Sequence, residues 1–96
     1  MTKKEILDFL RSHKPEMQKR CGVVSIGLFG SYAREEADKN SDIDLVVRIE
    51  SENSFRSFFG LKYFLEESLH RKIDLGIEDA LKAAVKERIQ NEIVYA

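Results

Sequence analysis

GLFGSYAREEADKNSDIDLVVRIE, from Gly27 to Glu50, is the stretch of sequence that decides how this chain folds. An apolar run ends in a turn at Gly30 and Ser31, and a second apolar run opens with Asp42 and Asp44, which are separated by one isoleucine. Side chains two apart on a strand point to the same side. Two carboxylates held side by side cost free energy unless a cation lies between them. The stretch therefore predicts a strand that carries a cation site near its start.

The residues around the two aspartates alternate between apolar and polar, which is typical of a half-buried strand. Asp74 lies in another alternating run, Lys72 to Ile77, and points outward like the pair. If the two strands are neighbours, three carboxylates converge on one face of a sheet. In the first run, Ile43, Leu45, Val47 and Ile49 form the inner face, and Asp42, Asp44, Val46 and Arg48 form the outer face.

Helices are expected before and between these strands. The segment from Thr2 to about Lys19 is amphipathic, and Thr2 and Glu5 have the spacing of a capping box. Pro15 interrupts the pattern, so we expect the helix to break near His13 or to restart at the proline. The remaining predicted elements are a strand over Val23 to Phe29, a short helix over SYAREEA, a DKNS turn, helices over Phe55 to Leu69 and Glu78 to Gln90, and an apolar tail, EIVYA.

This order of elements predicts an α/β fold in a single domain, residues 1–96. We expect a small mixed sheet with helices packed mainly on one face, which leaves the other face partly open. The cluster of Phe55, Phe58, Phe59 and Phe64 is expected in the core rather than as a base-stacking platform. His13 and His70 lie beside basic residues and are expected at the surface.

The bulk composition excludes several classes of protein. Sixteen basic and seventeen acidic residues give a net charge of −1, which argues against a protein that coats DNA or RNA. Cys21 is the only cysteine, so neither an internal disulfide nor a cysteine-cluster zinc site is expected. The first residues lack the apolar core of a signal peptide, and no run approaches the roughly 20 apolar residues of a membrane span. A cytoplasmic protein is expected.

Hard oxygen ligands such as the three predicted carboxylates suit Mg²⁺ or Mn²⁺, completed by substrate phosphates. The ordinary alternative is that an Asp-x-Asp pair is only a strand entry or a solvated edge. A calcium loop is excluded, because Ile43 stands where an EF-hand needs glycine and Ile49 where it needs the closing glutamate.

The Gly-Ser turn between a strand and a short helix exposes backbone N–H groups, which predicts an anion site at Gly30 and Ser31. The alternative is a plain turn with a helix cap. No Gly-Lys-Ser/Thr sequence occurs, so this is not a Walker loop. Arg34, one turn further, either reaches the same phosphates or is a surface residue.

Taken together, GSYAREEADKNSDIDLVV resembles the nucleotidyltransferase superfamily with the DNA polymerase beta-like palm. The short chain is similar to its minimal nucleotidyltransferase branch, whose members are often antitoxins of HEPN-domain toxins. The resemblance implies phosphate binding at Gly30 and Ser31, and metal binding at Asp42 and Asp44. It implies that Asp74, in KIDLGI, is the third carboxylate, which ligates metal and helps to deprotonate the acceptor. Many relatives have glycine at the position of Glu35, so this chain carries an added negative charge near the phosphate site.

The resemblance further implies transfer of a nucleoside monophosphate, AMP from ATP, to a hydroxyl group with release of pyrophosphate. A tyrosine of a HEPN toxin is the expected acceptor, and no direct binding of DNA or RNA is expected. Two alternatives remain open. One is an antitoxin that acts by binding, with its chemistry weak or lost; the other is a small-molecule modifier similar to the antibiotic nucleotidyltransferases, which carry an additional domain.

Overall fold

The computed structural model describes residues 1–96 and contains four helices and four strands in the predicted order, with one strand added in the apolar tail. Its elements are α1 (Lys3–Cys21), β1 (Val23–Phe29), α2 (Gly30–Ala33), β2 (Ile43–Ile49), α3 (Ser54–Leu69), β3 (Ile73–Ile77), a 3₁₀ turn (Glu78–Ala80), α4 (Ala83–Ile89) and β4 (Val94–Tyr95).

The strands form one mixed sheet in the order β3-β2-β1-β4. β1 is antiparallel to both of its neighbours, whereas β2 and β3 are parallel and are connected by α3. A parallel pair needs a long crossover, and a helix is the usual one. The predicted α/β fold with a small mixed sheet is confirmed.

The main core lies between the sheet and the two long helices, α1 and α3. The inward residues of β2, which are Ile43, Leu45 and Val47, are fully buried there together with Ile73 of β3. Fully burying one such side chain contributes about 1.5–3 kcal/mol relative to leaving it exposed. This burial fixes the faces of the strands, because a shift of one residue would move every apolar side chain to the opposite face.

The opposite side of the sheet, which we call the second face, is covered only in part. A row of small residues crosses it, since Gly27, Val46 and Gly76 are partners in register on β1, β2 and β3. Val46 is 1% exposed yet stands outside the main core cluster. The side chains that lie over the two glycines come from the segment after β3, namely Leu81 over Gly76 and Ile93 and Tyr95 over Gly27. The C-terminal segment thus covers one row of the second face.

α1 differs from the prediction, because it continues through Pro15 without a break. The proline removes one backbone hydrogen bond, at a cost of about 3 kcal/mol in a helix interior. Both ends of the helix are stabilised: Thr2 and Glu5 form the predicted capping box, and Gly22 ends the helix in a left-handed conformation. Beyond the proline, Met17 is 1% exposed in the core. Tertiary packing of the residues on both sides of Pro15 outweighs the tendency of proline to break a helix.

Of three smaller predictions, one was wrong and two were wrong in part. The last helix begins only at Ala83, after the 3₁₀ turn and two extended residues. Of the phenylalanine cluster, Phe58 and Phe64 pack against the core, but Phe55 and Phe59 are 75% and 50% exposed. His13 is half-buried, stacked on the Phe9 ring at 4.1 Å, whereas His70 is exposed as predicted.

Candidate functional site

Two of the predicted carboxylates lie side by side on the second face. Asp44 on β2 and Asp74 on β3 are partners in the parallel register. Asp42 stands just before β2, where the Ile43 N–H donates to the Lys72 carbonyl at 3.0 Å and extends the ladder toward it. The structure therefore places the three carboxylates together at one end of the second face.

The electrostatics of Asp44 show how crowded this arrangement is. Burial, followed by the negative charges of Asp74 and Asp42, raises the pKa of Asp44 from 3.8 to about 6. The positive charge of Arg34 lowers the pKa of Asp44. The part of this rise in pKa that comes from the neighbouring carboxylates marks a place where positive charge is missing. A cation bound between the aspartates would supply it.

The cluster does not form a closed metal cage. No group of three His, Cys, Asp or Glu side chains is arranged to hold a metal ion unaided. Mg²⁺ keeps several waters and is usually held by one or two carboxylates plus substrate phosphates. Asp44 and Asp74, on adjacent strands with Asp42 nearby, fit that requirement. The donor set suits Mg²⁺ or Mn²⁺ bound together with a nucleotide.

The Gly-Ser turn lies directly against the carboxylates. Gly30 has a φ of +75°, a conformation that favours glycine, and a Cβ atom at this position would collide with the Asp44 carboxylate. The contact arises because Phe29, at the end of β1, pairs in register with Asp44. Ser31 follows and is half-buried. The predicted anion site and the predicted metal ligands are therefore neighbours.

Arg34 is held by two carboxylates rather than extended freely. Its Nη1 and Nε donate to Glu92 at 2.9 Å and to Glu36 at 3.2 Å, and the side chain is 47% exposed. These hydrogen bonds raise the pKa of Arg34. To bind a phosphate, the guanidinium would have to exchange one carboxylate for it. Glu35 is exposed with a φ of 60°, so a glycine would relieve its backbone strain.

Sequence reasoning did not identify the C-terminal residues around this site, Glu78, Glu92 and Tyr95. Glu92 binds Arg34, and the Tyr95 hydroxyl donates to Glu78 at 2.5 Å. The only signal was the apolar tail EIVYA, which does not indicate its strand partner. A groove of about 350 Å³ between α1 and α3 includes Met17 and Tyr63 and lies on the other side of the sheet from the carboxylates.

Known proteins are similar to this chain in sequence. A family model described as a nucleotidyltransferase domain matches residues 4–96. The protein adenylyltransferase MntA of Thermococcus cleftensis is 39% identical over 95 residues, which are 99% of this chain and 96% of that protein. None of the helices combines the length and apolar character needed to cross a membrane.

Two solved structures are similar in fold. One, provisionally described as a minimal nucleotidyltransferase, has a TM-score of 0.80 at 32% identity and covers 98% of this chain and 95% of its own. The other is the complex of a tri-AMPylated HEPN toxin with an MNT antitoxin from Shewanella oneidensis, with a TM-score of 0.58 at 20% identity. The match covers 97% of this chain and 66% of that chain. At 20% identity, the likeness is one of fold alone.

Proposed function

Because the chain belongs to the nucleotidyltransferase domain family, we propose that it transfers AMP from ATP to a hydroxyl group and releases pyrophosphate. One observation carries the proposal: Asp44 and Asp74 are in register on adjacent strands, and Gly30 lies against the Asp44 carboxylate. A phosphate site beside a carboxylate cluster is the arrangement that phosphoryl chemistry needs, since catalysis there depends on positioning and charge neutralisation.

Each residue has a distinct role in this proposal. The backbone N–H groups of the Gly30-Ser31 turn and the Ser31 hydroxyl bind the triphosphate, and Arg34 pairs with its outer phosphates. Asp42, Asp44 and Asp74 hold Mg²⁺ or Mn²⁺. When bound, such an ion neutralises the phosphates and activates the attacking oxygen.

The acceptor oxygen forms a bond to the α-phosphorus of ATP, and the bond from that phosphorus to the bridging oxygen of the β-phosphate breaks. The electron pair of that bond leaves with pyrophosphate. The hydroxyl proton passes to a carboxylate. Asp74 is the exposed member of the cluster, which leaves it accessible to an incoming acceptor for this step.

The acceptor in this proposal is a tyrosine on a HEPN-type toxin, which AMP would inactivate, so that the chain acts as the antitoxin. Two comparisons support it: a relative is named a protein adenylyltransferase, and a fold neighbour is bound to a tri-AMPylated HEPN toxin. The chain itself exposes three aromatic residues along α3, Phe55, Phe59 and Tyr63, which is typical of a protein-binding surface. We place the reaction in the cytoplasm, where ATP is available.

The test is mass spectrometry of a co-expressed HEPN partner, with and without ATP and Mg²⁺. We expect an AMP-sized increase on a tyrosine-containing peptide of the partner, and none with Asp42→Asn. Asp8→Asn is the matched control, because it makes the same chemical change on the surface of α1, where Asp8 pairs only with Lys4. It should leave the increment intact.

Two outcomes would replace the proposal. An unmodified partner that is nevertheless inhibited by wild type and Asp42→Asn equally would establish an antitoxin that acts by binding. Transfer to a free small molecule with an unmodified partner would establish the small-molecule activity.

A further inference from the structure

A tyrosine and a glutamate span the second face beside the carboxylates. Tyr95 lies on β4, and its hydroxyl donates to Oε1 of Glu78 at 2.5 Å. β4 is one edge of the sheet, and Glu78 follows β3, the other edge. The pair, which we call the Tyr95–Glu78 bridge, therefore crosses the sheet from edge to edge.

The bridge lies over the row of small residues. Tyr95 pairs in register with Gly27, which pairs with Val46, and Val46 pairs with Gly76. The ring atoms Cδ1 and Cε1 of Tyr95 lie 3.1 and 3.2 Å from the position that a Cβ atom on Gly27 would occupy. Because two of the three strands have no side chain here, the aromatic ring can lie close to the sheet.

The carboxylates are one row away on the same face. Asp44 precedes Val46 by two residues, and Asp74 precedes Gly76 by two residues. Two residues of a strand span about 6–7 Å. A ribose fills a gap of this size, so a nucleotide whose α-phosphate lies at the carboxylates can place its base over the bridge.

We propose that the Tyr95 ring is the platform on which the base of the donor nucleotide stacks, with Glu78 as the positioning residue that holds the ring. The inference rests on the proposed function, because it takes the phosphates to bind at the carboxylates. Tyr95 is 51% exposed, which leaves part of the ring available to a ligand. The other largely exposed aromatic residues lie on α3, on the opposite side of the sheet.

The chemistry of the pair suits this role. A phenol is neutral at physiological pH, so the ring itself adds no charge beside the phosphates. The hydrogen bond to Glu78 raises the pKa of Tyr95 and so favours the neutral form further. Stacking on an aromatic ring tolerates any base, because every base has a π-face. The platform therefore predicts tight binding of nucleotides in general, without a strong preference for adenine from the ring itself.

The test compares two ligands by calorimetry in the presence of Mg²⁺: ATP, and inorganic tripolyphosphate, which has the phosphates but no base. Tyr95→Leu keeps apolar contact with Gly27 but removes the aromatic face. We expect it to weaken ATP binding by roughly 5- to 150-fold and to leave tripolyphosphate binding unchanged. Tyr95→Phe, which keeps the ring, should retain most of the ATP affinity.

Thermal unfolding of each variant controls for loss of structure. Equal weakening of both ligands, or weakening of neither, overturns the platform and leaves the proposed function in place. Wild-type protein that binds neither ligand overturns the proposed function and the platform together.

Discussion

Replacing Asp44 with asparagine should separate the chemistry of the site from the stability of the fold. The pKa of Asp44 is raised from 3.8 to about 6, so the folded protein binds more protons than the unfolded chain between these two pH values. The stabilising contribution of protonated Asp44 is therefore fully present below pH 3.8 and is lost as pH rises through about 6. At neutral pH the ionised Asp44 destabilises the fold.

The magnitude follows from that difference in pKa. Converting the difference between the two pKa values into free energy gives about 3 kcal/mol. Asp44 is half-buried rather than fully buried, so solvent screening reduces the figure to roughly 1–2 kcal/mol. Asp44→Asn should raise the free energy of unfolding by up to that amount at pH 7.5 and by little at pH 4. The neighbouring Ile43 is 0% exposed in the core, so Ile43→Ala should lower the free energy by about 2–5 kcal/mol at both pH values.

Urea denaturation at the two pH values, followed by circular dichroism, measures both effects, and transfer to the partner is assayed in parallel. Asp44→Asn should abolish transfer while the protein stays folded. If Asp44→Asn is more destabilising than Ile43→Ala at pH 7.5, the crowded carboxylates do not destabilise the fold. A stability gain of the same size at pH 4 would show that charge is not its cause.

Three further predictions concern the same face of the sheet. Mg²⁺ should bind weakly alone and more tightly with ATP, and calorimetry that gives the Asp42→Asn, Asp44→Asn double variant the affinity of wild type would contradict the metal assignment. Gly30→Ala should abolish ATP binding, because a Cβ atom there collides with the Asp44 carboxylate. Gly60→Ala is the control: no atom lies within 4 Å of the added Cβ, so this variant should stabilise α3 by about 0.5–1 kcal/mol in thermal unfolding. Glu92→Gln should weaken the ion pair with Arg34, which frees the guanidinium for the phosphates and tightens ATP binding by a few-fold, roughly the effect of one exposed ion pair. Unchanged or weaker ATP binding would mean that Arg34 does not contact the phosphates.

The strands and the carboxylates could be predicted from the sequence because both depend on a local pattern. Alternation along β2 and β3 places Asp44 and Asp74 on the face opposite Ile43 and Ile73, and the core enforces that choice. The capping box at Thr2 is equally local. Each of these features depends only on neighbouring residues.

Features that depend on distant parts of the chain could not be predicted in this way. Pro15 remains inside a helix because residues on both sides of it are packed against the sheet. The exposure of Phe55 and Phe59 follows from the rotation of α3 about its axis, which the leucines on its inner face determine. The Tyr95–Glu78 bridge requires the register of a two-residue strand, which the apolar tail alone does not indicate.

The pairing of β4 with β1 affects how the protein is made. Gly27 and Leu28 pair with Tyr95 and Val94, partners separated by most of the chain, and contacts of such long range form slowly. On the ribosome, β1 emerges early and presents an unpaired edge until those residues follow, and an open edge can pair with another chain. β4 is therefore among the last elements to join the sheet during synthesis. The edge of β1 stays unpaired until β4 pairs with it.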